Sequence, residues 1–223
     1  DLHPTVYESA LIEGCIEKGL CREHGGAHYN FNTGGTEVGS SDAGDSMTAI
    51  KKLVFDDKQI TMAELCDALD ANFDGHDKIR RMCLGVPNFG NDDDEADTQK
   101  AWVLHQWASE YQQLKNLRGG YGCPGGSSMS SYVPQGKVVG ALPSGRLSGE
   151  PLAAAASPCA GKDVKGVTAV LNSMGKVDGV EILGGLSLTC RIDGSVFNSR
   201  EGIKRIADLV RTFVDQQIFH LQL

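Results

Sequence analysis

Gly140-Ala141-Leu142-Pro143-Ser144-Gly145-Arg146-Leu147-Ser148-Gly149-Glu150-Pro151-Leu152, closing on Ser157-Pro158, is the stretch that decides the fold. Prolines and glycines at this density exclude a helix interior or a central strand. They specify a long irregular loop of defined shape. Arg146 and Glu150 are its structuring residues, because each can hold loop backbone by hydrogen bonds. A charged pair in such a loop needs partners of that kind when even partly buried.

Two further segments stand in fixed order before it. Asp45-Ser46-Met47-Thr48-Ala49-Ile50-Lys51-Lys52-Leu53-Val54-Phe55 is similar to the motif D-S-L-A-A-I-K-K-L-V-F. Gly90-Asn91-Asp92-Asp93-Asp94-Glu95-Ala96-Asp97 is similar to G-N-D-D-D-x-x-D. The loop itself matches G-A-x-P-[DS]-G-R-x-x-G-E-P-L followed by S-P. All three motifs belong to the glycyl radical enzymes, the family of pyruvate formate-lyase and the B12-independent glycerol dehydratases. The chain resembles that family from about Tyr7 to Leu223.

The resemblance implies an α/β fold, the C-terminal portion of a ten-stranded α/β barrel. Residues 1–118 would belong to the barrel domain and residues 119–223 would begin the glycine radical domain. It implies lyase chemistry on a small organic substrate, by dehydration, decarboxylation or C–X cleavage. Formate acetyltransferase-type acyl transfer and fumarate-adding succinate synthesis are the nearest alternatives, and a non-catalytic or complementing subunit of a split enzyme is the alternative of another class. No cofactor would be bound directly. The parent enzyme's glycyl radical is installed by a radical-SAM activating enzyme that uses SAM and a 4Fe-4S cluster, and the intact parent would be a homodimer in an anaerobic cytoplasm.

Composition agrees with such a setting. The 223 residues suffice for one large domain or two small ones. A net charge of −8 gives no reason to expect nucleic acid or an acidic membrane as partner. No apolar run approaches the roughly 18 residues of a membrane helix. The seven cysteines lack any C-x-x-C pair, which points to reduced thiols. The final residues, Ile218 to Leu223, alternate like a strand. In the family such a strand leads to the radical loop R-V-x-G-Y, a motif this sequence does not contain. The chain therefore reads as a partial sequence or one component of a split protein, expected by itself to form no radical.

Periodicity gives the elements. Tyr7, Leu11, Ile12 and Ile16 predict one amphipathic helix over 5–20, and Ala27, Tyr29 and Phe31 a strand. Ser46 is positioned to cap a helix with Ile50, Leu53 and Val54 on one face. Thr61-Met62-Ala63-Glu64 is a capping box opening a helix with Leu65, Cys66 and Leu69 inward. A further helix holds Ile79, Met82 and Cys83. A long one over 95–117 places Val103, Trp107, Leu114 and Leu117 together. Beyond residue 118, strands are expected at 137–142, 167–171 and 186–192, and an amphipathic helix at 201–215.

Among candidate sites, Gly14-Cys15-Ile16-Glu17 imitates the G-C-V-E loop that carries the family's radical cysteine and its carboxylate base. Its surroundings, Ser9 to Gly19, instead resemble a downstream segment, S-A-L-I-D-D-C-I-E-K-G, followed as here by G-G-A-x-Y-N. Cys15 and Glu17 are therefore disfavoured as catalytic residues, and Cys15 reads as a small packed hydrophobe. Asp70-x-Asn72-x-Asp74-Gly75 resembles half an EF-hand, but Lys78 and Arg81 occupy later ligand positions, so a helix end is favoured. Cys15, Cys21, His24 and His28 have too short a central gap for a zinc finger. Asp92, Asp93 and Asp94 suit helix entry. No metal site is assigned. Ser128, Ser131 and Tyr132 are substrate-pocket candidates, with a solvated turn as the equal alternative.

Overall fold

In this computed structural model the described residues are 5–28, 34–116, 120–127, 130–218 and 220–222. The frame is a set of short parallel strands backed by helices. Strand β1 (Gly34–Thr36) pairs in parallel with β2 (Cys123–Gly125), Gly34 opposite Cys123. Strand β3 (Ser187–Thr189) pairs in parallel with β4 (His220–Gln222). A parallel bridge between Gly126 and Leu186 joins the two pairs. Parallel neighbours need long crossovers, and here helices supply most of them.

The helices are α1 (Val6–Ala10), α2 (Cys15–Lys18), α3 (Ser40–Ile50), α4 (Met62–Asp70), α5 (Asp77–Leu84), α6 (Asp94–Gln113), α7 (Tyr132–Gly136), α8 (Val167–Gly175) and α9 (Arg200–Asp215). Helix α3 widens into a π-helix over Lys51–Asp56. One apolar core joins Phe89, Leu104, Leu171, Ile182, Leu188 and Leu209 behind the strands. A second holds Ala49, Leu53, Leu65, Phe73 and Cys83 among α3, α4 and α5. Thr61 forms the expected capping box with Glu64, its hydroxyl accepting from the Glu64 N–H at 3.2 Å. The Asp70–Gly75 stretch is a helix end and turn, with Gly75 at φ +71° and Asn72 Oδ1 accepting the Ser148 N–H at 2.7 Å.

Several expectations are corrected. The helix over 5–20 is broken at Gly14, whose φ of +91° a helix cannot carry, and Tyr7, Leu11 and Ile16 are exposed. Ala27 lies in a bend, and Tyr29 and Phe31 lie outside the described residues. The strand there is Gly34–Thr36, because backbone pairing with β2 overrides weak local propensity. Ser46 is inside α3, not at its cap, and its hydroxyl bonds back to Asp42 O at 2.6 Å. Cys66 faces solvent.

Helix α6 buries Ala96, Lys100, Leu104 and Ala108 most deeply, while of the predicted stripe Trp107 packs against the core and Val103 is half-buried. Leu114 is exposed, and Leu117 lies outside the described residues. Residues 137–142 are turn and coil, held by the loop beyond them. Residues 167–171 begin α8, whose short apolar run periodicity could not separate from a strand. Helix α9 forms where a helix was expected, with Leu209 buried and Phe213 packed against the core, while Ile203, Val210 and Val214 are exposed.

Candidate functional site

Two faces of the parallel strands carry different chemistry. Paired residues of parallel strands point to the same side, and alternate residues point to opposite sides. Gly35, Pro124, Gly126, Leu186 and Leu188 thus face the helices. A Cβ on Gly35 would lie 2.4 Å from Tyr111 Cζ of α6. The opposite face presents Gly34, Thr36, Cys123, Gly125, Ser187 and Thr189. Gly34, Thr36 and Thr189 are exposed there, and Cys123 and Ser187 half-buried.

Behind the strands lies a buried polar cluster. Glu37 follows β1 and accepts the Ser40 N–H on Oε2 at 3.1 Å, while Oε1 has no hydrogen-bond partner among the described residues. Lys100 of α6 is fully buried and donates to Ser40 Oγ at 2.8 Å and Ser41 Oγ at 2.6 Å. Its ammonium stands 4.7 Å from the Phe89 ring centroid. Asp42 accepts the Ala153 N–H at 2.6 Å and the Cys159 thiol at 3.4 Å. Asp45 accepts the Phe89 N–H at 2.8 Å and lies 3.6 Å from Lys162 Nζ.

Burial lowers the Lys100 pKa against the pull of Glu37. Burial raises Glu37 against Lys100, and Asp45 against Lys162. The Cys159 thiol is pushed well above the ordinary range, again by burial first. This cluster was missed in the sequence. Its signal was Lys100 at helical spacing with Ala96, Leu104 and Ala108, a charge within an apolar stripe.

The predicted site residues fall elsewhere. Arg146 is 6% exposed and wholly engaged with carbonyls of its own loop. It donates to Gly136 O at 2.7 Å and Gly140 O at 2.8 Å, to Val139 O and Pro151 O at 3.4 Å, and to Glu150 O. Glu150 Oε2 accepts the Leu147 N–H at 2.9 Å. Cys15 opens α2 at 3% exposure, against a groove lined by Val6, Ala10, Ile16 and Leu20, and Glu17 faces solvent. Leu11, expected on the apolar face of a helix over 5–20, is 74% exposed.

Ser131 and Tyr132 open α7, both half-buried, and Tyr132 O accepts the Leu152 N–H at 3.2 Å. Ser128 lies outside the described residues. Asp93 caps α6, accepting the Glu95 N–H at 3.1 Å. Asp92, Asp94 and Asp97 converge on Lys176 Nζ at 2.9, 2.7 and 2.9 Å. Burial opposes the Lys176 charge, but these hydrogen bonds outweigh it and raise its pKa.

A family model described as pyruvate formate lyase-like matches residues 1–136, and a glycine radical model matches residues 152–223. The chain belongs to the pyruvate formate lyase-like family. It is 38% identical to a probable dehydratase of Escherichia coli, over 96% of this chain and 28% of that protein. It is 35% identical to the trans-4-hydroxy-L-proline dehydratase of Clostridioides difficile, over 98% of this chain and 28% of that protein. Among solved structures, the glycerol-bound B12-independent glycerol dehydratase of Clostridium butyricum aligns at a TM-score of 0.91 and 36% identity, over 98% of this chain and 28% of that one. The chain spans 28% of the length of each of these relatives. No described helix is long and apolar enough to cross a membrane.

Proposed function

We propose that this chain is the C-terminal region of a glycyl radical lyase, most closely a dehydratase of a small hydroxylated substrate. The carrying observation is the TM-score of 0.91 against a glycerol dehydratase over 98% of the chain, at 36% identity. The dehydratase names of the other relatives point the same way. In this reading the parallel strands are part of the barrel wall, and the Arg146 loop ties the wall to the glycine radical region. Ser131 and Tyr132 remain candidates for the substrate pocket. The radical sits on a backbone glycine, installed by a radical-SAM activase with SAM and a 4Fe-4S cluster. The motif R-V-x-G-Y is absent from this sequence, so no residue here is assigned to the radical. The protein works as a homodimer in an anaerobic cytoplasm.

The test uses the complete enzyme carrying this segment, incubated under anoxia with its activase, SAM and a reductant. A glycyl doublet in the EPR spectrum and dehydration of glycerol, propane-1,2-diol or trans-4-hydroxy-L-proline are expected. A doublet without elimination from any hydroxylated substrate would refute the dehydratase assignment. The chain by itself should give no doublet.

A further inference from the structure

Two carboxyls on one face of α3 meet one thiol. Asp42 and Asp45 stand a helical turn apart on the same side of the helix, and both are buried. Asp42 accepts the Ala153 N–H on Oδ2 at 2.6 Å and the Cys159 thiol on Oδ1 at 3.4 Å. Asp45 accepts the Phe89 N–H on Oδ1 at 2.8 Å and faces the same thiol. A thiol has a single proton to give, and Asp42 receives it. Asp45 Oδ2 is left covered, with no donor among the described residues.

Cations do not balance the pair. The charged and titratable groups around Asp45 are Asp42 on its own helix, Lys100 on α6, and Cys159 and Lys162 beyond the Arg146 loop, with Glu37 on the far side of Lys100. Lys100 is balanced first by Glu37, and it donates to Ser40 and Ser41 rather than to a carboxyl. Lys162 Nζ donates to Ser144 O at 2.8 Å and stands 3.6 Å from Asp45 Oδ2, too far for a hydrogen bond. Asp42 and Asp45 therefore have Lys162 between them as their own counter-charge. Two like charges on one buried site cannot both be held cheaply, and one of them keeps its proton. Asp42 uses both oxygens as acceptors, as an ionised carboxylate does. Asp45, with an oxygen that accepts nothing, is the one to be neutral.

We infer that Asp45 is a carboxylic acid at neutral pH, its O–H given to the Cys159 sulfur, and that this proton is a pH-sensitive fastening between α3 and the segment after the Arg146 loop. The fastening joins the two parts of the chain that the family models match separately. Asp42 and Asp45 lie within residues 1–136, and Ala153, Cys159 and Lys162 within residues 152–223. With the proton in place, one sulfur bridges an ionised and a neutral carboxyl. Without it, two carboxylates repel across that sulfur, and the hold of Asp42 on Ala153 and Cys159 weakens. A carboxyl whose folded pKa is raised contributes stability at low pH that is lost as pH rises through the folded value. For Asp45 burial is the first cause of the rise.

The complete enzyme carrying carbon-13 in its aspartate side-chain carboxyls tests this by infrared spectroscopy. At neutral pH the unsubstituted protein should show an isotope-shifted C=O stretch of a carboxylic acid, and Asp45→Asn should lose it. Hydrogen exchange reads the fastening itself. The opening constants of the Phe89 and Ala153 amides, taken as the ratio of unsubstituted protein to Asp45→Asn, should rise about tenfold per pH unit between about pH 5 and 7, the slope of one proton. No acid band in the unsubstituted protein overturns the assignment, whether or not the variant folds. A band that keeps its full intensity in Asp45→Asn also overturns it, because the proton would then sit on another aspartate. An exchange ratio that stays flat with pH overturns the fastening.

Discussion

Arg146→Ala is the sharpest perturbation of the loop that decides the fold. The guanidinium holds the carbonyls of Gly136, Val139, Gly140, Glu150 and Pro151, which brings both ends of the Gly140–Leu152 turn onto one side chain. Two contacts, to Gly136 and Gly140, have full hydrogen-bond geometry, and those to Val139 and Pro151 are marginal at 3.4 Å. An orphaned buried carbonyl costs about 1–3 kcal/mol. Gly140 and Glu150 are exposed enough to regain water, whereas Gly136 is buried. The net loss is therefore about 1–3 kcal/mol, set by Gly136, not the sum over every contact. Hydrogen exchange should show the amides of Leu142, Gly145 and Leu152 losing protection, since these three close the loop. Arg146→Lys, a point charge that cannot fork, should fall between wild type and alanine. Wild-type protection in Arg146→Ala would refute the account of the loop.

Other outcomes follow from the same structure. Lys176→Met should destabilise by about 1–3 kcal/mol in urea unfolding: it strips the partner from Asp97, 1% exposed, while the half-exposed ammonium itself is partly screened. Cys66 should react first with a thiol reagent at pH 8, because it is exposed, whereas Cys83, pushed up to about 11 by burial, should react only on unfolding. Glu23 is held at about 2, first by the Thr5 hydroxyl and then by Arg22. A carboxyl depressed below its unfolded value contributes stability above about 4.5 that is lost as pH falls toward 2. The N-terminal helices should therefore loosen in that window, and an NMR titration placing Glu23 near its ordinary value would refute this.

What could be read from the chain, and what could not, divides along physical lines. Local devices were legible. The Thr61–Glu64 box, the Asp70–Gly75 turn and the α9 period depend on neighbours within one or two turns. The strands were not legible at residues 34–36 and 123–125, where the glycines and proline of Gly-Gly-Thr and Cys-Pro-Gly disfavour strand. They are strands because parallel pairing across 89 residues of sequence supplies the hydrogen bonds. Helix faces were misread for a related reason. Lys100 lies on the buried side of α6 because Glu37, Ser40 and Ser41 stand there, and no period within α6 announces them. The open polar face could be seen only after the register had paired Gly34 with Cys123 and joined Gly126 to Leu186.

The buried charges behind the strands explain how so weak a set of strands keeps its register. Buried opposite charges that offset one another add little net stability, and an apolar replacement is often as good. Its effect here is positional. Helix α3 starts after Gly39 with no side-chain cap, and Glu37 takes the Ser40 N–H in its place, so the helix start is bound to the residue that follows β1. Lys100 compensates Glu37 from α6, where a Cβ on Gly44 of α3 would come within 2.8 Å of the Lys100 Cα, so the two helices meet backbone to backbone. Asp42 then holds the Ala153 N–H at the exit of the Arg146 loop. Ser41 donates to Ser157 O, and Ser157 Oγ accepts the Thr189 N–H at the end of β3. One chain of polar contacts thus runs from β1 through α3 and the loop to β3, outside any ladder hydrogen bond. A one-residue slip of either strand would carry its helix-facing residues onto the open face and break the contacts that hold it.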